Sequence, residues 1–324
     1  MGYLRWAWQY VKEARWKFFL GTLLVNIEMI ANLLIVVIQK QIVDDIFIGG
    51  NYGKIPFIAS LLLIAVSVSV CLYTLAPMIL HTAGMHIKIK LSQQLLKNIY
   101  KLKLSSYLKN STGRYVNYFS DDVNIIGDYL SYKIPAGLQQ LISVILISLI
   151  ILYINPILLL VLLFLAVSYI CAGKYFGNRL KQKNFMTKEK KTEVVAVIEN
   201  GLSATREILA YNRTQWFKDI FHQRYKKYFE SVLKEAREQN KNIFVVDPIT
   251  WIAQIFVLIF GAYSVYYHRM TVGEYVIAFQ FTSRLNDSVQ SLYDTIINFS
   301  GLFSSIDRIN SITDSFSDRK KHYN

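Results

Sequence analysis

Residues 134 to 175 read IPAGLQQLISVILISLIILYINPILLLVLLFLAVSYICAGKY, and Lys174, second from the end, is the only charged side chain among them. Asn155-Pro156 divides the stretch into two apolar runs, Ile134 to Ile154 and Pro156 to Tyr175. Each run is close to the roughly 20 residues a helix needs to cross about 30 Å of hydrocarbon. Asn-Pro is a turn dipeptide, so the two runs form a helical hairpin with a tight connection. Lipid offers no hydrogen-bond partners and the runs show no strict alternation, so they are helices rather than barrel strands.

Working outward, Phe18 to Ile38, Pro56 to Leu80, Ile243 to Tyr267 and Val276 to Phe303 repeat the pattern. The chain of 324 residues is 53% hydrophobic and still 18% charged, so its apolar residues are concentrated in segments rather than spread over a soluble core. The expected fold is an all-α membrane protein of six transmembrane helices with long cytoplasmic helical extensions. The expected spans are about 18–43, 56–80, 131–154, 156–177, 243–267 and 274–303. Residues 1–17, with Trp6, Trp8, Tyr10 and Trp16 beside Arg5, Lys12 and Arg15, fit an interfacial amphipathic helix. The six-helix domain then covers 18–313, and 314–324 is a polar C-terminal tail.

The net charge of +14 collects in the two long polar connections, between spans two and three and between spans four and five. The other connections are short and poor in Lys and Arg. The positive-inside rule therefore puts both termini and both long connections in the cytoplasm of a cell-membrane protein. The same charges serve orientation and anionic headgroups, which leaves no call for a nucleic-acid partner. The two cysteines, Cys71 and Cys171, lie inside apolar runs as expected small packing residues. No cluster has metal-ligand spacing and no catalytic constellation is recognisable.

Each long connection lacks proline and repeats its apolar residues at three and four positions, as Ile87, Leu91, Leu95, Ile99 and Leu102 do. A helix from His81 to Leu108 would project roughly 40 Å beyond the bilayer. Both connections must reverse direction. Asn110-Ser111-Thr112-Gly113 marks the first reversal and Glu199-Asn200-Gly201 the second.

Four stretches, in this order along the chain, carry a family likeness. TGRYVNYFSDDV (Thr112 to Val123) resembles the first coupling segment of ABC exporter transmembrane domains. ENGLSATREILAY (Glu199 to Tyr211) resembles the second. RMTVGEYVIAF (Arg269 to Phe279) is similar to the lead into span six, and SSIDRI (Ser304 to Ile309) to the closing segment before the nucleotide-binding domain. The Asp44-Asp45 pair after span one also fits. The resemblance implies contact with an ATPase through Thr112, Gly113, Asp121, Asp122, Val123, Glu199, Gly201, Thr205 and Glu207. It also implies a second transmembrane half, homo- or heterodimeric, into which spans four and five cross.

The 324 residues contain no Gly-rich loop ending in Gly-Lys-Ser/Thr and no Ser-Gly-Gly signature. ATP and Mg²⁺ are therefore expected on a nucleotide-binding domain elsewhere, on a separate polypeptide or beyond a truncation. On this reading the chain itself binds no cofactor.

Charged groups inside spans are costly and usually face water or a partner. Glu28 in span one, Asp247 in span five, and Arg284, Asp287 and Asp294 in span six are the cases here. Gln280, Arg284, Asp287, Ser291, Asp294 and Asn298 recur at helical spacing and share one face. That stripe, with Asn26, Glu28, Asp247 and Gln254 as neighbours, is a candidate lining for a central aqueous cavity. Its acidic excess points to cationic or peptidic cargo, and the competing explanation pairs Arg284 with Asp287 one turn away. The whole reads as the membrane subunit of an ATP-driven exporter working by alternating access. The alternative is a motor-less membrane interaction or regulatory protein on the same fold.

Overall fold

The computed structural model describes residues 3–102, 107 and 112–321, and within them the chain is a succession of helices. Asn110 and Ser111 of the first reversal, and the tail beyond Lys321, lie outside the described residues. Helix α1 is Tyr3–Val11. Helix α2, Arg15–Ile48, ends in a widened π turn at Ile42–Ile48. Helix α3 is Ile55–Tyr100. Helix α4 begins at Thr112–Asn117 and runs on without a break to Ile134–Ile154. It too widens, at Tyr118–Asp122 and at Tyr129–Lys133. Then follow α5 (Pro156–Ser203), the short α6 (Thr205–Ala210), α7 (Thr214–Tyr266) and α8 (Val272–Lys321).

Five of these helices, α2, α3, α4, α5 and α7, are long and apolar enough to cross a membrane. The 46 residues of α3, the 48 of α5 and the 53 of α7 would each extend about 70–80 Å, more than twice the hydrocarbon thickness. Helix α8 has the length, at 50 residues, but its charged stripe dilutes its apolar character below that of the other five.

The chain divides into two compact units. The first holds residues 1–159 and 257–324. Here α8 runs antiparallel to both α2 and α4. Gln280 bonds Gln39 near the far end of the bundle, Ser288 meets Ser143 midway, and Arg308 reaches Asp122 near the α1 end. One enclosed apolar cluster lies at the α1 end, where Trp6 and Val11 of α1, Ile87, Leu91 and Leu95 of α3, Ile126 and Leu130 of α4, and Leu302 and Ile306 of α8 come together. A small second cluster, Ile38, Ile46 and Ile58, closes the far end. Much of the remaining helix surface of this unit is apolar and exposed, as with Leu63, Leu149 and Ile259. A helix surface of that kind suits contact with lipid rather than water.

The second unit, residues 160–256, is an antiparallel helical hairpin. Asn184 donates to Glu235 at 2.7 Å, Thr187 donates to the carbonyl of Ser231 at 3.3 Å, and Arg224 pairs with Glu193 at 3.1 Å. The partners descend along α7 as they rise along α5, which fixes the direction.

Two expectations change. Helix α3 stops at Tyr100 rather than continuing to Leu108. Its last donors, Lys101 and Leu102, turn back to Asn98 and Ile99, three residues away, so the ladder tightens and closes. Cys71 and Cys171 are unpaired and exposed on the apolar helix surfaces instead of packed inside.

Candidate functional site

The first predicted coupling stretch opens α4 at Thr112, with Gly113 exposed and, among the described residues, no atom within 4 Å of the place a Cβ would occupy. Asp121 is also exposed. Asp122 and Val123 turn inward, and Val123 joins the apolar cluster at the α1 end. The Asp122 carboxylate accepts from Arg308 Nε at 3.1 and 3.0 Å and also from Arg308 Nη2. Arg308 further donates to Ser304 Oγ at 2.7 Å and Ser305 Oγ at 2.9 Å. The hydrogen bonds it donates to Asp122 hold the Arg308 guanidinium above its ordinary pKa. Two of the stretches singled out in the sequence are thus physically joined: Asp122 of TGRYVNYFSDDV and Arg308 of SSIDRI make a forked, charge-assisted contact.

The second stretch folds differently from its expected role. Glu199, Asn200 and Gly201 are not the reversal but lie in the closing turns of α5, which continues to Ser203. The chain turns at Ala204 and again at Tyr211 to Arg213, where Asn212 takes a left-handed φ of 53°. There the Arg213 amide returns to the Ile208 carbonyl at 2.8 Å and the Asn212 amide to Leu209 at 3.1 Å, closing α6. Gly201 serves close packing. A Cβ built on it would stand 1.9 Å from Cζ of Phe217, so the ring of α7 lies directly against the α5 backbone. Thr205 bonds the carbonyls of Gly201 and Leu202 at 3.0 and 2.8 Å. Glu199 and Glu207 are exposed. So are Leu202, Leu209, Tyr211 and Trp216, which leaves an apolar tip on this hairpin.

The lead into α8 is built as a cap. Thr271 Oγ1 accepts from the Glu274 amide at 3.1 Å, and Glu274 accepts in return from the Thr271 amide at 3.0 Å, a reciprocal capping box. Asp44 of α2 adds itself to that helix start. Its carboxylate accepts from Thr271 Oγ1 at 2.7 Å and from the Gly273 amide at 2.8 Å, while Lys40 pairs with Glu274 at 2.9 Å. The sequence marked Asp44 and Thr271-Val272-Gly273 separately, without connecting them.

Of the stripe on α8, Gln280 and Arg284 are half-buried against the first unit, whereas Asp287 and Asp294 are exposed. The side chain of Asn298 lies outside the described ones. Arg284 and Asp287 are not among the ion pairs of the described residues, which removes the pairing of those two as the account of the stripe. Glu28 accepts from Asn32 and, at 3.3 Å, from Gln139 of α4, and Gln139 also bonds the Val25 carbonyl at 3.2 Å. Asp247 is exposed in the second unit. Among the described residues no group of His, Cys, Asp or Glu is arranged to hold a metal ion.

Residues 18–289 match the profile of the ABC transporter transmembrane region. The chain belongs to that family. Over 319 residues this ABC transporter transmembrane region is 21% identical to YgaD of Bacillus subtilis (strain 168), named as a multidrug export ATP-binding/permease protein, covering 95% of the chain and 54% of the relative. It is 21% identical over 283 residues to the ATP-dependent lipid A-core flippase of Syntrophus aciditrophicus (strain SB), 85% of the chain and 47% of that protein. It is 24% identical over 193 residues to SunT of Bacillus subtilis (strain 168), a sublancin-168-processing and transport ATP-binding protein, 57% of the chain and 27% of the relative. The chain therefore spans about half or less of the length of the curated relatives it matches. It is a multi-pass membrane protein.

Proposed function

We propose that this ABC transporter transmembrane region is the membrane-spanning part of an ATP-driven exporter, lying in the plasma membrane as six spans with both ends in the cytoplasm. Helix α8 is the sixth span. Two such halves form the working unit, with α5 and α7 reaching across to the partner half. The separation of residues 160–256 as a unit of their own supports that arrangement.

A nucleotide-binding domain docks at Thr112 to Val123 and at Glu199 to Tyr211. The observation that carries this is the second tip. An exposed apolar set, Leu202, Leu209, Tyr211 and Trp216, sits at the end of helices far too long for the bilayer, beyond the reach of lipid, and needs a protein to cover it. ATP and Mg²⁺ belong to that domain, since the 324 residues hold no phosphate-cradling loop to fit them. This chain's residues receive and transmit motion. Closure of two docked domains pulls the tips together, and the long helices carry the displacement to a cavity lined by Gln280, Arg284, Asp287 and Asp294.

The relatives are named for multidrug export, for sublancin-168 processing and transport, and for lipid A-core flipping, so ATP-driven movement of a cargo is what they share. The test is site-specific cross-linking in intact membranes of the host from cysteines placed at exposed Gly113 and Leu209. Capture of an ATPase at both positions, stabilised by ATP, is the expected result. Capture at neither ends this reading, and a dispensable D287N/D294N pair would favour the motor-less alternative.

A further inference from the structure

Glu28 stands in an unusual position for a carboxylate at membrane depth. Among the described residues its two oxygens accept hydrogen bonds from neutral amides, those of Asn32 and Gln139. Glu28 belongs to none of the ion pairs among the described residues. An anion in hydrocarbon is ordinarily matched by a cation, and here the protein supplies the hydrogen bonds but not the opposite charge at contact distance.

The space beside Glu28 is shaped to admit one. Glu28 and Gln139 line a niche between α2, α3 and α4, with Pro77 and Ala136 on its walls and Tyr73 and Tyr132 at its edge. Tyr73 and Tyr132 are 72% and 55% exposed, so both residues are accessible to a ligand arriving along the apolar surface. The niche encloses about 150 Å³, less than the few hundred cubic ångströms of a drug-sized site, and takes a small head group only. A second hollow shares Pro77 and Tyr132 and continues toward His81 and Lys133, which gives the niche an approach from the α1 end of the bundle.

We propose that the α2–α3–α4 niche at Glu28 is a binding site for amphipathic organic cations, which insert an ammonium head against the Glu28 carboxylate and leave their apolar tail along the outer face of the helices. Tyrosine rings attract such heads through their π faces, and the attraction grows when water is excluded. Pro77 lines the niche within α3, where it lacks the amide that would complete the helical ladder. The site lies wholly within the first unit. It requires neither nucleotide nor a transport cycle, so it stands or falls separately from the exporter reading.

The experiment uses the full chain in a maltoside detergent, whose head is uncharged, with radiolabelled decyltrimethylammonium measured by equilibrium dialysis against protein-free micelles. The competitor is the uncharged analogue in which carbon replaces nitrogen. Saturable binding near one per chain is expected, with at least a tenfold loss in Glu28→Gln and a comparable loss in Ala136→Leu, which fills the niche without touching charge. Asp45→Asn, which removes a carboxylate elsewhere on α2, should bind as the parent does. Unchanged binding in both Glu28→Gln and Ala136→Leu, or equal competition by the uncharged analogue, overturns the proposal. Should Glu28→Gln fail to fold, Ala136→Leu and the analogue decide it alone.

Discussion

Arg308 of α8 closes on Asp122 of α4 across 186 positions of sequence, with its Nε 3.0–3.1 Å from both carboxylate oxygens. The two ends of the contact are unequal. The Asp122 side chain is 5% exposed and that of Arg308 is 45% exposed. Asp122 sits where a widened turn of α4 meets the last apolar cluster of the first unit. The pair therefore ties the tip-bearing helix to the end of α8.

The asymmetry predicts the mutational outcome. Arg308→Ala leaves a buried carboxylate without its counter-charge and should cost about 3 kcal/mol. Asp122→Ala releases an arginine that can turn to water and should cost less, about 1–2 kcal/mol. The double substitution should be milder than the sum, because the two act on one contact. Thermal unfolding in detergent checks the order. If Arg308→Ala were the milder single change, the burial argument would fail.

Gly273 predicts a second effect at the opposite end of the bundle. A Cβ there would stand 2.6 Å from the Asp44 carboxylate. Gly273→Ala should expel Asp44 from the start of α8 and cost about 1–2 kcal/mol, the usual range for a lost helix cap. Asp44→Ala should cost about as much, and adding Gly273→Ala to Asp44→Ala should cost little more. A double-mutant cycle on thermal stability reads this directly.

At the second tip, Gly201→Ala drives a methyl into the Phe217 ring and should destabilise the α5–α7 hairpin by about 1–3 kcal/mol, as overpacking does. Gly201→Ala combined with Phe217→Leu should recover part of it. Hydrogen exchange over residues 199–217 is the measurement. Faster exchange in Gly201→Ala with partial restoration in the pair is expected, and no change in the single variant would show that the contact does not hold the tip.

These contacts mark how far the sequence could be read. Five apolar helices were legible because apolar runs near 20 residues have one common physical solution in lipid. On α8 the helical spacing of polar residues could be read, but the structure leaves Gln280 and Arg284 half-buried and Asp287 and Asp294 exposed. What lay beyond reach were contacts between distant segments. Nothing local in SSIDRI says that Arg308 finds Asp122, and nothing local in TVGE says that Asp44 completes the cap. Gly201 was misread for a related reason. Glycine beside Asn suggests a turn, whereas here its missing Cβ makes room for a ring from another helix. The end of α3 at Tyr100 escaped because Leu102 continues the apolar spacing after the backbone has already turned.

Glu193 supplies part of the pH dependence of the second unit. It bonds Lys190 on its own helix and Arg224 across the hairpin, and the Lys190 hydrogen bond, ahead of the charges of Lys190 and Arg224, holds its pKa below the ordinary glutamate value. A carboxylate depressed in the folded state contributes stability above its unfolded pKa, about 4.3, and loses it as the pH falls through the lower folded value. The contribution is thus fully present from about pH 5 upward and fades below about pH 4. The group is exposed, so salt should weaken the effect. Hydrogen exchange of the backbone around Glu193 and Arg224, corrected for intrinsic rates, should be flat from about pH 5 to 8 and accelerate under acid. Glu193→Gln should show the faster exchange throughout and lose most of the local acid dependence. An acid response unchanged by Glu193→Gln would assign the titration to another group.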